Sequence, residues 1–141
     1  MMKRDGTFFH IDFGHFLGNF KVKMGYKREK SSFKITPAMA HVLGTKAGPM
    51  FRRFEQYCVR AFNALRRQGA RDLLVTLFSL MTSCGIPELQ TKDDIEWLRE
   101  HMQSGLSQED AAKYFVQEIH DNIKMKSVQL DDSAHMYAHF T

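Results

Sequence analysis

Apolar residues recur at helical spacing through most of the chain beyond residue 35. Between Met50 and Gln68 they fall on one face, and Gly69 follows, so we predict an amphipathic helix that ends at this glycine. The next segment, Arg71 to Ser83, is apolar nearly all round. That pattern predicts a buried central helix, because a helix without a polar face needs partners on every side.

Capping residues mark the starts of the other helices. Thr36 precedes Pro37, a pairing typical of an N-cap followed by the first helical position. Thr91 has Asp94 three residues on, which resembles a capping box, and Ser107 is a further N-cap candidate. The helix after Ser107 has an apolar face formed by Ala111, Ala112, Phe115, Val116, Ile119 and Ile123.

The first third of the chain has a different pattern. We predict a strand from Thr7 to Ile11, which follows Asp5-Gly6, a hairpin-turn sequence. A hairpin needs a first strand, so we expect the chain to begin inside a structural element. Residues 12–34 are rich in glycine and lysine without a persistent period, which predicts a loop. The predicted class is therefore α+β: a remnant hairpin and a loop followed by helices.

Charge is distributed unevenly along the sequence. Residues 1–87 carry fifteen Lys and Arg against five Asp and Glu, a net of +10, whereas residues 88–141 have a net of −6. A basic face for phosphate, membrane or nucleic acid is one interpretation, and an ordinary solvated surface is the other. Nucleic acid is disfavoured, because no aromatic platform or reading motif accompanies the charges. We interpret the arginine pairs at 52–53 and 66–67 as solvated positions or helix C-terminal caps.

Cysteine usage and hydropathy indicate an intracellular chain with at most peripheral membrane contact. Cys58 and Cys84 both lie among apolar helical neighbours, which predicts reduced core residues rather than a disulfide framework. The N-terminus has no apolar stretch typical of a secretory signal. The longest apolar run, Leu73 to Met81, is too short to cross a bilayer.

The tripeptide Asp12-Phe13-Gly14 directly follows the predicted strand. Kinases present a carboxylate to ATP-bound magnesium from such a position, and a carboxylate is the hard oxygen ligand that magnesium prefers. We therefore predict Asp12 as the metal ligand, with Ile11, Phe13 and Gly14 completing the cofactor site. The alternative is an aspartate that caps a turn.

The residues after this motif carry the substrate hypothesis. His15 could shuttle a proton or contact a phosphate, although a surface or packed histidine is an equally good interpretation. A dense basic stretch then follows, formed by Lys21, Lys23, Lys27, Arg28 and Lys30. These side chains could surround an inositol ring bearing several phosphates with charge-assisted hydrogen bonds, unless the stretch is simply a solvated loop.

The segment from Asp5 to Lys21, read as DGTFFHIDFGHFLGNFK, resembles the activation segment of phosphoinositide 3-kinase catalytic subunits. GYKREK at 25–30 is similar to the basic box of class I members, and the likeness continues through FEQYC, LFSLM and GIPELQTKDDI to about residue 126. The resemblance implies a protein-kinase-like lipid kinase fold: residues 1–126 as the C-terminal part of the catalytic domain and 127–141 as a tail. Within it, 1–11 would be the hairpin remnant, 12–34 the Asp-Phe-Gly and activation loop, and 35–126 a mostly α-helical C-lobe.

The same resemblance implies ATP-dependent phosphorylation of the 3-hydroxyl of phosphatidylinositol 4,5-bisphosphate. Asp12 would bind magnesium, and His15 lies where the family has a histidine implicated in proton transfer. Lys21, Lys23, Lys27 and Arg28 fall in the substrate-reading loop. Such a kinase would be cytoplasmic, recruited peripherally to the plasma membrane, and would meet a regulatory or adaptor subunit through regions outside this chain.

The sequence also departs from the family. It has no Asp-Arg-His-x-x-Asn catalytic loop, phosphate-binding loop or ATP-contacting lysine, so we expect the isolated chain to be inactive. The usual Pro-Phe that closes the activation loop is Ser32-Phe33, and Asp131-Asp132 in the tail would oppose anionic lipid. A non-catalytic phosphoinositide- or membrane-binding module is the alternative function. A pseudokinase is less favoured, because Asp12 is intact.

Overall fold

The structure of the chain is a computed structural model, which describes residues 4, 17, 22–23, 26–27, 33–44, 48–86, 89, 91–126, 133 and 137. Two short strands and five α-helices follow one another along the described parts of the chain. They are β1 (Val22–Lys23), β2 (Tyr26–Lys27), α1 (Pro37–Val42), α2 (Pro49–Arg66), α3 (Gln68–Met81), α4 (Lys92–His101) and α5 (Gln108–Lys124). A single 3₁₀ turn, Thr82–Cys84, extends α3.

The predicted N-caps are confirmed. The amide of Met39 donates to Thr36 Oγ1 at 3.2 Å, and the amide of Asp110 donates to Ser107 Oγ at 3.1 Å. Thr91 forms the expected capping box, because its own amide donates to Asp94 Oδ2 at 3.0 Å. Each cap satisfies backbone groups that the first helical turn leaves unpaired, which is why a local sequence signal locates it.

The boundary between α2 and α3 differs from the prediction. α2 ends at Arg66, and α3 begins at Gln68 with Gly69 in its first turn, so Gly69 does not end the earlier helix. The break lies at Arg67, whose ψ of 136° leaves the helical region. Glycine often ends a helix because it tolerates a left-handed conformation, but a change to extended backbone needs no glycine.

α3 is not the buried central helix that its composition predicted. None of its residues is buried, and Leu73, Leu77 and Leu80 are among the exposed large apolar residues. These three positions lie on one face at helical spacing, and no described element covers that face. The prediction was wrong because apolar composition shows what a helix can bury and does not supply the surface that buries it.

The main core lies where α2 and α5 pack together. Ala40, Phe51, Ile119 and Ile123 form its buried cluster. Partly buried apolar residues surround this cluster: Phe33, Ile35, Leu43, Phe54, Cys58 and Phe115. Burial of these side chains is the main favourable term for the helix pair, because each one removes apolar surface from water.

Two further expectations are corrected. Cys84 is exposed, so only Cys58, which is half-buried, fits the predicted core position.

Within the predicted loop at 12–34, β1 and β2 form an antiparallel pair in which Val22 faces Lys27 and Lys23 faces Tyr26. The sequence signal for this pair is weak, because two-residue strands are too short to show alternation. The predicted hairpin remnant at 1–11 lies outside the described residues except for Arg4.

Candidate functional site

Most predicted site residues lie outside the described part of the chain. This holds for Ile11, Asp12, Phe13, Gly14, His15, Lys21, Arg28 and Lys30. Of Lys23 and Lys27 the structure gives the backbone, which lies on the adjacent strands β1 and β2. The ladder therefore brings two of the predicted substrate-binding positions onto neighbouring strands, and their roles stay predictions.

The C-terminal end of the predicted activation loop is attached to α5 by Asn122. Its Oδ1 accepts a hydrogen bond from the Ile35 amide at 2.6 Å, and its Nδ2 donates to the Phe33 carbonyl at 2.6 Å. Asn122 is only 1% exposed, so these bonds are formed away from water. A buried amide bound at both ends holds the backbone closely, because release would leave polar groups unpaired.

Aromatic contacts support the same attachment. The Phe33 ring lies 5.4 Å from the Phe115 ring on α5, and Phe115 stacks on Phe62 of α2 at 4.4 Å. Both separations are in the range of attractive aromatic pairs. The end of the loop is thus fixed to α5 both by the hydrogen bonds of Asn122 and by the aromatic contact of Phe33. Helix α1 starts directly after it.

A polar contact also crosses the α2–α5 interface. His120 Nε2 lies 2.6 Å from Glu55 Oε1, and both side chains are largely shielded from solvent. The imidazole also lies edge-on to the buried Phe51 ring, with centroids 6.0 Å apart. The contact orients both side chains at the rim of the core, where screening by solvent is reduced.

Two side chains in this region, Cys58 and Tyr114, have raised pKa values. Burial, and secondarily the nearby Glu55 carboxylate, raise the pKa of the Cys58 thiol. Burial and Glu118 raise the pKa of the Tyr114 hydroxyl, against the opposing effect of a hydrogen bond from Gln103. Both shifts keep the groups neutral, so neither behaves as a nucleophile prepared for chemistry.

Sequence reasoning missed two residues that organise this region. Asn122 lies eleven positions after Ala111 on the buried face of α5. A polar residue at a position where the helical period calls for an apolar one could have indicated its role. Arg66, interpreted above as a solvated position or a cap of its own helix, instead donates to the Met102, Gln103 and Leu106 carbonyls at 2.6–2.8 Å. That contact had no signal, because its partners are backbone atoms 36–40 residues away.

The described residues contain no group of three or more His, Cys, Asp and Glu side chains that could hold a metal ion. Asp12, the predicted magnesium ligand, is outside that search. Among the described helices, none has both the length and the apolar character needed to cross a bilayer.

Comparison with known proteins defines the class. The family model for phosphatidylinositol 3- and 4-kinase matches residues 1–91, which include Asp12-Phe13-Gly14 and the basic stretch. The chain therefore belongs to the phosphatidylinositol 3- and 4-kinase family, as the resemblance indicated.

Three individual relatives that the chain matches are phosphatidylinositol 3-kinases. Phosphatidylinositol 3-kinases 2, 1 and 3 of Dictyostelium discoideum are 46%, 43% and 40% identical to this chain over 139 residues. Each alignment covers 99% of the chain. The chain spans 7%, 9% and 8% of the respective lengths of these relatives. The described helices are consistent with the helical C-lobe of such a lipid kinase.

Proposed function

We propose that this chain supplies the activation loop and the helical C-lobe of a kinase that phosphorylates the 3-hydroxyl of phosphatidylinositol 4,5-bisphosphate. The observation that carries the proposal is the family match over residues 1–91, together with 46% identity to a phosphatidylinositol 3-kinase. The basic stretch at 21–30 supports the bisphosphate as substrate, because several cations in one loop suit several phosphates on one ring.

Magnesium and ATP are the expected cofactor and co-substrate. The Asp12 carboxylate is a hard oxygen donor and fits magnesium, whose bound ion would neutralise charge on the ATP phosphates. Ile11, Phe13 and Gly14 would shape the surroundings of that carboxylate, and His15 would hold or move a proton beside it. The protein would act in the cytoplasm and at the plasma membrane, with a regulatory or adaptor subunit bound through other regions.

The 141-residue chain by itself is expected to be inactive. Phosphoryl transfer depends on groups that hold ATP and orient the attacking hydroxyl, and these catalytic motifs are not in this sequence. A lipid kinase assay of the purified chain with radiolabelled ATP tests this point. Formation of 3-phosphorylated lipid above the background of Asp12→Asn would contradict it.

A chimera tests the substrate assignment. Residues 1–141 would replace the matching segment of Dictyostelium phosphatidylinositol 3-kinase 2, and products would be separated after reaction with mono- and polyphosphorylated inositol lipids. Asp12→Asn should lower turnover more than about a hundredfold, because it removes a metal ligand. Alanine at Lys21, Lys23, Lys27 and Arg28 should lower activity on the bisphosphate far more than on phosphatidylinositol.

A matched control removes four other cations from exposed positions on or next to α4 and α5. It replaces Lys92, Lys113, Lys124 and Lys126 with alanine. If this control loses selectivity for the bisphosphate as much as the loop variant does, the loop does not read the substrate and the assignment fails.

The second candidate is a non-catalytic phosphoinositide-binding role for this chain. The concentration of cations at 21–30 favours it, since each basic residue near an anionic membrane contributes roughly 1 kcal/mol. Sedimentation of the chain with phosphatidylinositol 4,5-bisphosphate vesicles tests it. Binding that disappears in the four-alanine loop variant supports this role, and no binding rules it out.

A further inference from the structure

A large cleft lies between the C-terminal half of α2 and the connection from α4 to α5. Its volume is about 770 Å³. Tyr57 and Arg60 of α2 line one side together with Arg67 at the break after that helix, and Ser104 and Gln108 line the other. A second concavity of about 350 Å³ adjoins it, sharing Tyr57 and Arg60. These volumes are within the range of small-molecule sites. The cleft contains none of the residues assigned above to ATP, magnesium or the lipid substrate.

The arginines of this cleft are not neutralised by acidic partners. Arg60 and Arg67 are exposed, and within the described part of the chain neither guanidinium makes a hydrogen bond or ion pair. Arg66 donates to the carbonyls named above and to Asn63 Oδ1 at 3.2 Å, with no carboxylate among these acceptors. Three positive charges therefore line one concave surface, and one of them is held rigidly.

The acidic groups closest in sequence to the cleft already have partners. Glu109 and Asp110 lie in the first turn of α5, where Lys113 Nζ approaches them at 2.9 Å and 3.8 Å. Asp110 also accepts a hydrogen bond from Ser107 Oγ at 2.7 Å. The N-terminus of α5 reaches the cleft at Gln108, which adds a weak positive potential from the helix dipole.

A smaller cleft shows the contrast. Arg71 and Arg99 line a concavity of about 280 Å³, but each guanidinium is paired with a carboxylate. Arg71 lies 3.0 Å from Asp72, and Arg99 lies 3.4 Å from Glu96. Two arginines in a concavity are thus available to a ligand in the first cleft and neutralised in the second.

We propose that the cleft lined by Arg60, Arg66 and Arg67 binds a polyphosphorylated anion, either a soluble inositol phosphate or the headgroup of a phosphorylated lipid. Guanidinium groups bind phosphate through paired hydrogen bonds, and the polar side chains of Ser104 and Gln108 also line the cleft. Arg60 and Arg67 are seven residues apart, which is about 10 Å along the helix axis. That spread of charge suits several phosphates on one molecule better than a single one.

Calorimetric titration of the full chain with inositol hexakisphosphate tests the proposal. The chain would carry the four-alanine change at Lys21, Lys23, Lys27 and Arg28, so that the basic loop does not contribute. Binding should remain in this background and weaken at least about tenfold in Arg60→Gln/Arg67→Gln. Arg66 is left intact because it holds the α4–α5 connection, and circular dichroism checks that the variant is folded.

The control is Arg71→Gln/Arg99→Gln, which removes the same charge from the smaller cleft. It should weaken binding less than Arg60→Gln/Arg67→Gln does, since neither Arg71 nor Arg99 lines the first cleft. Equal weakening in both double variants, or no weakening in Arg60→Gln/Arg67→Gln, overturns the proposal. The titration is independent of the kinase assay, so its failure and the failure of the proposed function are distinguishable.

Vesicles distinguish the two sources of phosphate. Phosphatidylcholine vesicles containing phosphatidylinositol 4-phosphate would be sedimented with the same variants. Arginine-dependent binding of inositol hexakisphosphate alone supports a soluble ligand, and arginine-dependent binding of the vesicles alone supports a lipid headgroup. If the loop-alanine chain binds neither probe, the cleft is not a phosphate site.

Discussion

α3 is more apolar than either helix of the α2–α5 pair, yet its side chains are less buried. Phe51 of α2 is 0% exposed and Ile119 of α5 is 1% exposed, whereas Leu73 and Leu80 of α3 are 59% and 66% exposed. α2 also carries five basic or acidic side chains and still contributes the fully buried Phe51 to the core. α3 also packs against α2 and α4, but its leucine face stays exposed. Among the described helices, burial therefore depends on which face meets a partner and not on the apolar content of the helix itself.

The two regions differ in specificity as well as in burial. The α2–α5 interface includes directional contacts, namely Asn122 with the backbone of Phe33 and Ile35, and Glu55 with His120. Such contacts fix one arrangement, because a shifted helix would leave polar groups unpaired. The leucine face of α3 has no comparable contact among the described residues.

The largest expected effect comes from truncating the core of the pair. Phe51→Ala should lower the free energy of unfolding of the chain by about 3–5 kcal/mol, because it leaves a cavity beside Ile119 and Ile123. Leu80→Ala on α3 should cost less than about 1 kcal/mol, since the side chain is largely in water already. Urea unfolding followed by circular dichroism measures both. Equal losses would mean that α3 is as well packed as the pair.

Removing the buried amide should have the next largest effect. Asn122→Leu leaves the Ile35 amide and the Phe33 carbonyl unpaired, and should cost about 2–4 kcal/mol. Gln117→Leu on the same helix is the control. Its exposed amide donates to Asp121 Oδ2 at 2.8 Å, and the change should cost less than about 0.5 kcal/mol. Hydrogen exchange at Ile35 should also accelerate in Asn122→Leu alone. Unchanged exchange would disprove the attachment of the loop end.

The Glu55–His120 contact should contribute a smaller, pairwise effect. A double-mutant cycle with Glu55→Gln and His120→Ala should give a coupling energy of about 1 kcal/mol, because both groups are partly shielded from water. The exposed pair Glu96 and Arg99 on α4, at 3.4 Å, is the reference and should couple by less than about 0.5 kcal/mol. A coupling no larger than that of the reference would remove this contact from the explanation of the α2–α5 interface.

The smallest expected effect is a difference in alkylation rate between the cysteines of the two regions, Cys58 on α2 and Cys84 after α3. Cys58 lies half-buried on α2, whereas Cys84 is exposed at the end of the 3₁₀ turn after α3. Because burial raises the pKa of Cys58, less thiolate is present and alkylation by iodoacetamide should be slower than at Cys84. Mass spectrometry of Cys58→Ser and Cys84→Ser resolves the two rates. In urea the two rates should become similar.

The raised pKa of Cys58 also makes the stability of the chain depend on pH. The pKa of Cys58 is higher in the folded chain than in the unfolded one, so the unfolded chain releases the thiol proton first as pH rises. The contribution of Cys58 is therefore complete below the unfolded pKa and is lost as pH rises through the folded pKa. Cys58→Ser should flatten the alkaline decline in stability.

The sequence by itself determined the local features of this protein. The caps at Thr36, Thr91 and Ser107 were predictable, because each is decided by atoms within three residues. The family was also recognisable from the Asp12-Phe13-Gly14 motif and the basic stretch, because contiguous residues carry it. The roles of Asp12, His15 and the loop cations remain predictions.

Only the tertiary structure decided which apolar faces are buried and which polar groups meet. The exposure of the leucine face of α3 is one such outcome. The two hydrogen bonds of Asn122 to the loop end and the binding of Arg66 to the α4–α5 connection are others, and each joins elements far apart in the sequence. Helical periodicity specifies that a face is apolar or that a side chain can donate, but not the surface that it meets. That partner is set by the packing of the whole chain, where burial and hydrogen bonding must be satisfied together.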